Sequence, residues 1–331
     1  RTVTGVQTCA LPISQSNAVF IGGAGNASFV TSGVITVGST GAGYNTMTVT
    51  NASILSSGLT IGTGSSNNTV TVNNLGTVNL LQGELTFGVG TGNVLTINSG
   101  GLVTNVGGIA VAGVGASYFF TNDTPNQRFF LTTGGSLTVG TAGFGGNSLT
   151  ISNQTYASGA ISVIGAGSSN NFLTILANTI WNSSGLNFTS GTGAAVNNVL
   201  TNNGGILTNF GTVIIGGTAG SVSNGIAIAN GGSFSSGALT IGNAAGTSNN
   251  YYNVGGSGAL SIVSNGVVIV GTNSAGFNTM TVTNATLLSG ALTVGSGSSN
   301  NTSQVLGGTW NLLGNNAAIG GGSSTGNLLL I

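Results

Sequence analysis

Very few side chains in this sequence are of a type that does acid–base, nucleophilic or metal chemistry. The charged residues are Arg1, Glu84, Asp123 and Arg128, there is no Lys and no His, and Cys9 is the single cysteine. Glycoside hydrolysis needs two carboxylates within roughly 5 to 10 Å of each other. Glu84 and Asp123 fall in different repeats and at different phases, so nothing in the sequence brings them to one face. A Ser or Thr nucleophile has no His or Lys to activate it, and no general base of neutral pKa is present. Zinc asks for Cys or His, and calcium-binding nonapeptide repeats ask for an Asp in each turn. The Gly-x-Gly stretches lack the Lys and the following helix of a phosphate-binding loop. The expectation is a non-enzyme with no catalytic, cofactor-binding or metal residues. Any enzymatic activity has to come from segments outside this sequence.

Composition narrows the partners in the same way. Nucleic acid and anionic membrane surfaces are bound by clustered Lys and Arg, which are missing, so no nucleic-acid partner is expected. Apolar residues make up 40% of the chain, but Gly and Asn interrupt them before any run reaches the roughly 18 residues of a membrane-spanning helix. The 62 glycines and abundant Asn, Ser and Thr do not signal disorder, because apolar and polar residues alternate in short segments, as half-buried strands do.

The element that recurs is a short strand reading apolar-x-apolar-Gly. It ends at Gly22, Gly38, Gly62, Gly88, Gly113, Gly140, Gly165, Gly191, Gly216, Gly242, Gly271, Gly295 and Gly320, a period of about 25 residues. Residues one and three before each glycine, such as Ile61 and Leu59 or Ile241 and Leu239, form two apolar columns. Ala112, Ile21 and Val19 are placed in the same columns, and Ser190 is the one polar member. A second strand follows an Asn, as in Asn45, Asn68, Asn93, Asn147, Asn171, Asn198, Asn224, Asn250, Asn278, Asn301 and Asn327. A third, weaker apolar stretch precedes the next anchor, as at Ile180-Trp181 and Trp310-Leu312. The pattern predicts an all-β parallel β-helix of about twelve coils with three short strands each. Stacked Asn residues form a ladder of side-chain amides along its length. Duplication shows directly: the segments starting at Asn45 and Asn278 differ at six of twenty-four positions.

Two stretches depart from the period. Val3 to Ile13, VTGVQTCALPI, resembles the translation of a short-read sequencing adapter. Residues 1–14 are accordingly expected to lie outside the fold, and 15–331 to be one repeat array cut at both ends. After Gly113 the Asn-led strand is delayed, and a loop insertion is expected near 114–133. Its Tyr118, Phe119, Phe120, Asp123, Arg128, Phe129 and Phe130 are a candidate recognition loop; the alternative is aromatics that cover one side of the rod with Asp123 and Arg128 pairing locally.

Thr48, Thr71, Thr96, Thr150, Thr174, Thr201 and Thr281 share one outward phase, three after the strand Asn. Such an array suits ice or glycan recognition, but Ala227, Asn253, Gln304 and Leu330 interrupt it, and Thr also simply suits exposed strand positions.

Units such as LTIGTGSSNNTVTVNN and LTVGTAGFGGNSLTISN resemble the Gly/Asn/Ser/Thr-rich repeats of bacterial autotransporter passenger domains and related surface adhesins. That resemblance implies a right-handed parallel β-helix exported to the cell surface, serving as a stalk, adhesin or matrix component with an unknown surface or matrix partner. Because the array is expected to be cut at both ends, a translocating barrel, signal peptide or anchor is not expected within these residues, and the export route is left open.

Overall fold

The computed structural model describes residues 16–23, 28–98, 100–113, 117–122, 135–153, 155–157 and 160–331, with 117–122 and 155–157 described by their backbone alone. Residues 1–15, including Cys9 and the whole of the adapter-like segment, lie outside this set. Among the described residues there are strands and turns and no helix. The chain winds as a β-solenoid of about 11 turns, about 25 residues each.

Three parallel sheets run along the rod. The Asn-led strands form a thirteen-stranded sheet from Ala18–Gly22 to Leu328–Leu330. The twelve strands before the anchors, from Ser28–Val37 to Ala317–Ile319, form a fourteen-stranded sheet together with Thr77–Asn79 and Leu102–Thr104. A third sheet of seven strands runs from Thr155–Ala157 to Thr309–Asn311. In the first coils third and anchor strands are fused, as in the ten-residue Ala52–Ile61, onto which Thr77–Asn79 and Glu84–Phe87 both stack. Period-two alternation puts one side of every strand inside. Leu59, Ile61, Leu85, Val139, Ile164, Val213, Ile241 and Val270 stack in the anchor sheet, and Val49, Val72, Leu173, Ile226 and Met280 in the Asn-led sheet, all buried in one continuous core.

Two expected anchors move. Val19-Phe20-Ile21-Gly22 has the anchor pattern, but it follows Asn17 and pairs with Thr46–Thr50, so it is an Asn-led strand. Val19 is therefore at the rod's first coil, exposed, rather than in the anchor core. The second correction is a slip of one residue. Val111 pairs with Phe87 and Val139, which leaves Ala112, not Gly113, at the anchor position. Ile109 and Val111 are buried in its place, and Ala112 is half-buried. The larger side chains decide, because a one-residue slip exchanges the two faces of a strand.

Anchor glycine and strand Asn turn out to be one device. Gly38, Gly62, Gly140, Gly165, Gly191, Gly216, Gly242, Gly271 and Gly295 all have positive φ, and at each a Cβ would overlap the side chain of the Asn one coil further on. Asn224, above Gly191, is fully buried. Its Oδ1 accepts from Asn198 N (3.1 Å) and Asn198 Nδ2 (2.8 Å), and its Nδ2 donates to Asn250 Oδ1 (3.1 Å) and Ala195 O (2.9 Å). Gly191→Ala forces both a left-handed φ (+82) on a Cβ-bearing residue, costing about 1–2 kcal/mol, and an overlap with Asn224. The expected result in denaturant titrations is a loss of about 3 kcal/mol, of which the overlap share disappears in Gly191→Ala/Asn224→Ala. Strict additivity of the two single changes would refute the coupling.

Among the described residues the ladder has one break. Asn17, Asn45, Asn68 and Asn93 are linked, and Asn147 through Asn327 are linked, but the coil between them brings no Asn to this position. Asn147 Oδ1 is buried with no hydrogen-bond partner among the described residues. Gly88, which has no Asn above it, is outside the left-handed region occupied by the other anchors. Two further discontinuities coincide here. Ser117–Asn122 pairs Phe119 with Val94 on one side and Ser117 with Ser148 on the other, a two-residue shift of register. The separate third sheet begins only after it, at Thr155.

Candidate functional surfaces

The residues singled out after Gly113 divide between strand and undescribed chain. Tyr118, Phe119 and Phe120 are not in a protruding loop: Ser117–Asn122 is a strand of the Asn-led sheet, paired on both sides. It begins early rather than late, four residues after Gly113, because strand pairing does not require the Asn that marks the other coils. Asp123, Arg128, Phe129 and Phe130 lie outside the described residues, as does most of the loop expected at 114–133. Glu84 is exposed on the outer side of the anchor sheet, where Thr86 Oγ1 donates to its Oε2 at 3.1 Å. Among the described residues no group of three or more His, Cys, Asp or Glu is assembled.

An open depression of about 510 Å³ adjoins the ladder break, lined by 143–146 and 167–170. Its walls are Gly, Ser, Asn and the ring of Phe144, with no charged group. No helix of the described chain is long and apolar enough to cross a membrane.

The outward Thr column is real but discontinuous. Thr48, Thr71 and Thr96 are paired in sequence, the register shifts at the next coil, and Thr150, Thr174 and Thr201 continue to Ala227. Asn253 and Gln304 interrupt it again on either side of Thr281.

The most regular feature that the sequence reading missed is inside. Trp181, Phe210, Phe234 and Tyr252 stack along the rod with ring centroids 4.9, 5.3 and 6.2 Å apart, and Phe188 meets Trp181 edge-on at 5.9 Å. Tyr252 is completely buried, and its hydroxyl donates to Asn265 Oδ1 at 3.3 Å. Burial pushes its phenol far above the ordinary value near 10. A raised folded-state pKa means that Tyr252 contributes its full stability below pH of about 10 and that this is lost as pH rises further, at about 1.4 kcal/mol per pH unit. Unfolding midpoints measured from pH 9 to 11.5 are expected to fall less steeply for Tyr252→Phe than for the parent; equal slopes would contradict the assignment.

Two buried polar side chains in the core are satisfied locally, whereas the Ser261 and Ser303 hydroxyls are buried with no hydrogen-bond partner among the described residues. Ser190 Oγ donates to Asn198 O at 2.8 Å, and Asn202 Nδ2 donates to Gly205 O (3.0 Å) and Ser233 O (2.8 Å). These bonds hold turns in place; they are not aimed at a ligand. Comparisons with known protein families, with curated proteins and with solved structures found no match to this chain.

Proposed function

We propose that this chain is the rod of a non-enzymatic structural or adhesive protein displayed outside the cell, in the manner of an autotransporter passenger. The observation that supports this reading is where the repeated residues are spent. Anchor glycines, ladder asparagines and inward aliphatics all stabilise the stacking of one coil on the next. A rod of this kind sets a distance: about 11 turns at about 4.8 Å give a length near 53 Å. Backbone ladders and one continuous aliphatic core hold such a scaffold along its length, which suits an extracellular stalk or matrix element. Antibody raised against the purified chain is expected to label intact source cells or their surrounding matrix. Labelling that appears only after permeabilisation would remove the surface assignment while leaving the rod itself intact.

A further inference from the structure

We propose that the outer face of the anchor sheet is a self-association surface, on which a second copy of this chain packs side by side. The residue two before each anchor points outward, and the strand register stacks these residues in one column: Thr86, Ala110, Thr138, Val163, Thr189, Ile214, Thr240, Ile269, Thr293, Ala318. Thr and aliphatic residues alternate strictly over these ten coils, so the face repeats every second coil, at about 9.6 Å. The Thr189, Thr240 and Thr293 hydroxyls have no protein partner among the described residues. In the adjoining outward column Ile161 and Val267 are exposed, and the charge nearest the stripe is Glu84 at its beginning.

A partner must follow this two-coil period over many coils, and the relief is greatest at Thr240, which is 8% exposed between the larger Ile214 and Ile269. A second copy carries that same period by construction. Shifted by one coil, it sets its Thr hydroxyls and methyls against the aliphatic residues of the first. The near absence of charge removes the like-charge repulsion that ordinarily keeps identical faces apart. Ten coils by two outward columns offer a footprint of about 600 Å² per copy, or about 1,200 Å² in all, the lower bound for a specific, stable interface.

Sedimentation velocity over a concentration series tests this. The parent chain is expected to form a concentration-dependent dimer, and Ile214→Lys and Ile269→Lys to weaken it at least tenfold with circular dichroism and melting temperature retained. Ile206→Lys, on the outer face of the third sheet, is expected to leave association unchanged. Val163→Lys serves if either of the first two fails to fold. A parent that stays monomeric at the highest concentration reached overturns the proposal, including the case where the monomer adsorbs to ice or to an insoluble glycan through this face. Loss of the dimer in Ile206→Lys as large as in Ile214→Lys overturns it as well.

Discussion

Asn224→Ala is expected to be among the most destabilising single changes in the chain, and Asn147→Ala distinctly milder. Both residues are completely buried and both belong to the ladder. Removing the Asn224 side chain leaves Asn198 N unpaired and takes one bond each from Asn198 Nδ2, which keeps Ser168 O, from Asn250 Oδ1, which keeps Asn224 N, and from Ala195 O, which keeps Val222 N. One buried group left unpaired costs about 1–3 kcal/mol and each of the three further bonds about 1 kcal/mol, so a loss of about 4 kcal/mol or more is expected. Asn147 already lacks a partner at Oδ1, and its replacement removes only the Nδ2 bonds to Phe144 O (3.0 Å) and Asn171 Oδ1 (2.9 Å). Urea titrations of the two variants check the ranking. Equal losses would show that the side-chain amides do not act as a chain of coupled bonds.

Unfolding is expected in two steps that separate at the ladder break. In a stacked array, stability is a sum of coil terms and neighbour terms, and a weak neighbour term uncouples the blocks on either side. Here the missing Asn, the shifted register and the start of the third sheet all fall on the same neighbour contact. Three anchor glycines, Gly38, Gly62 and Gly88, precede it and eight, Gly140 to Gly320, follow. The shorter block lacks the aromatic stack and is expected to open first. Trp181 and Trp310, the two tryptophans, both lie in the longer block, so their fluorescence reports the second step only, while far-ultraviolet circular dichroism reports both. The two curves are expected not to coincide; coincident, single transitions would make the rod one cooperative unit.

Much of the rod can be read from the residues because its physics is local and repeated. Asn at a fixed phase forecasts the ladder, since a buried amide must find partners and the coils above and below are the nearest source. The failures have equally local causes. The window from Ile109 to Gly113 is apolar in both phases, so the sequence leaves its register open, and only packing of Ile109 and Val111 closes it. Gly22 ends a strand of the anchor type, and the Asn17 before it was the signal that it belonged to the other sheet. Phe210 and Phe234 join the aromatic stack through the third sheet, whose strands are too polar, as in Ser233–Ser236, to announce an inward face.

The ladder also has a sense. At each linked rung Nδ2 reaches toward the following coil and Oδ1 toward the preceding one, from Asn17 to Asn93 and from Asn147 to Asn327. The amide dipoles therefore add head to tail along the rod, as peptide dipoles do along a helix. A coil that has already formed presents donors, and the one that leaves the ribosome after it brings the acceptor. The order in which the chain emerges, amino end first, is the order in which each rung finds its mate.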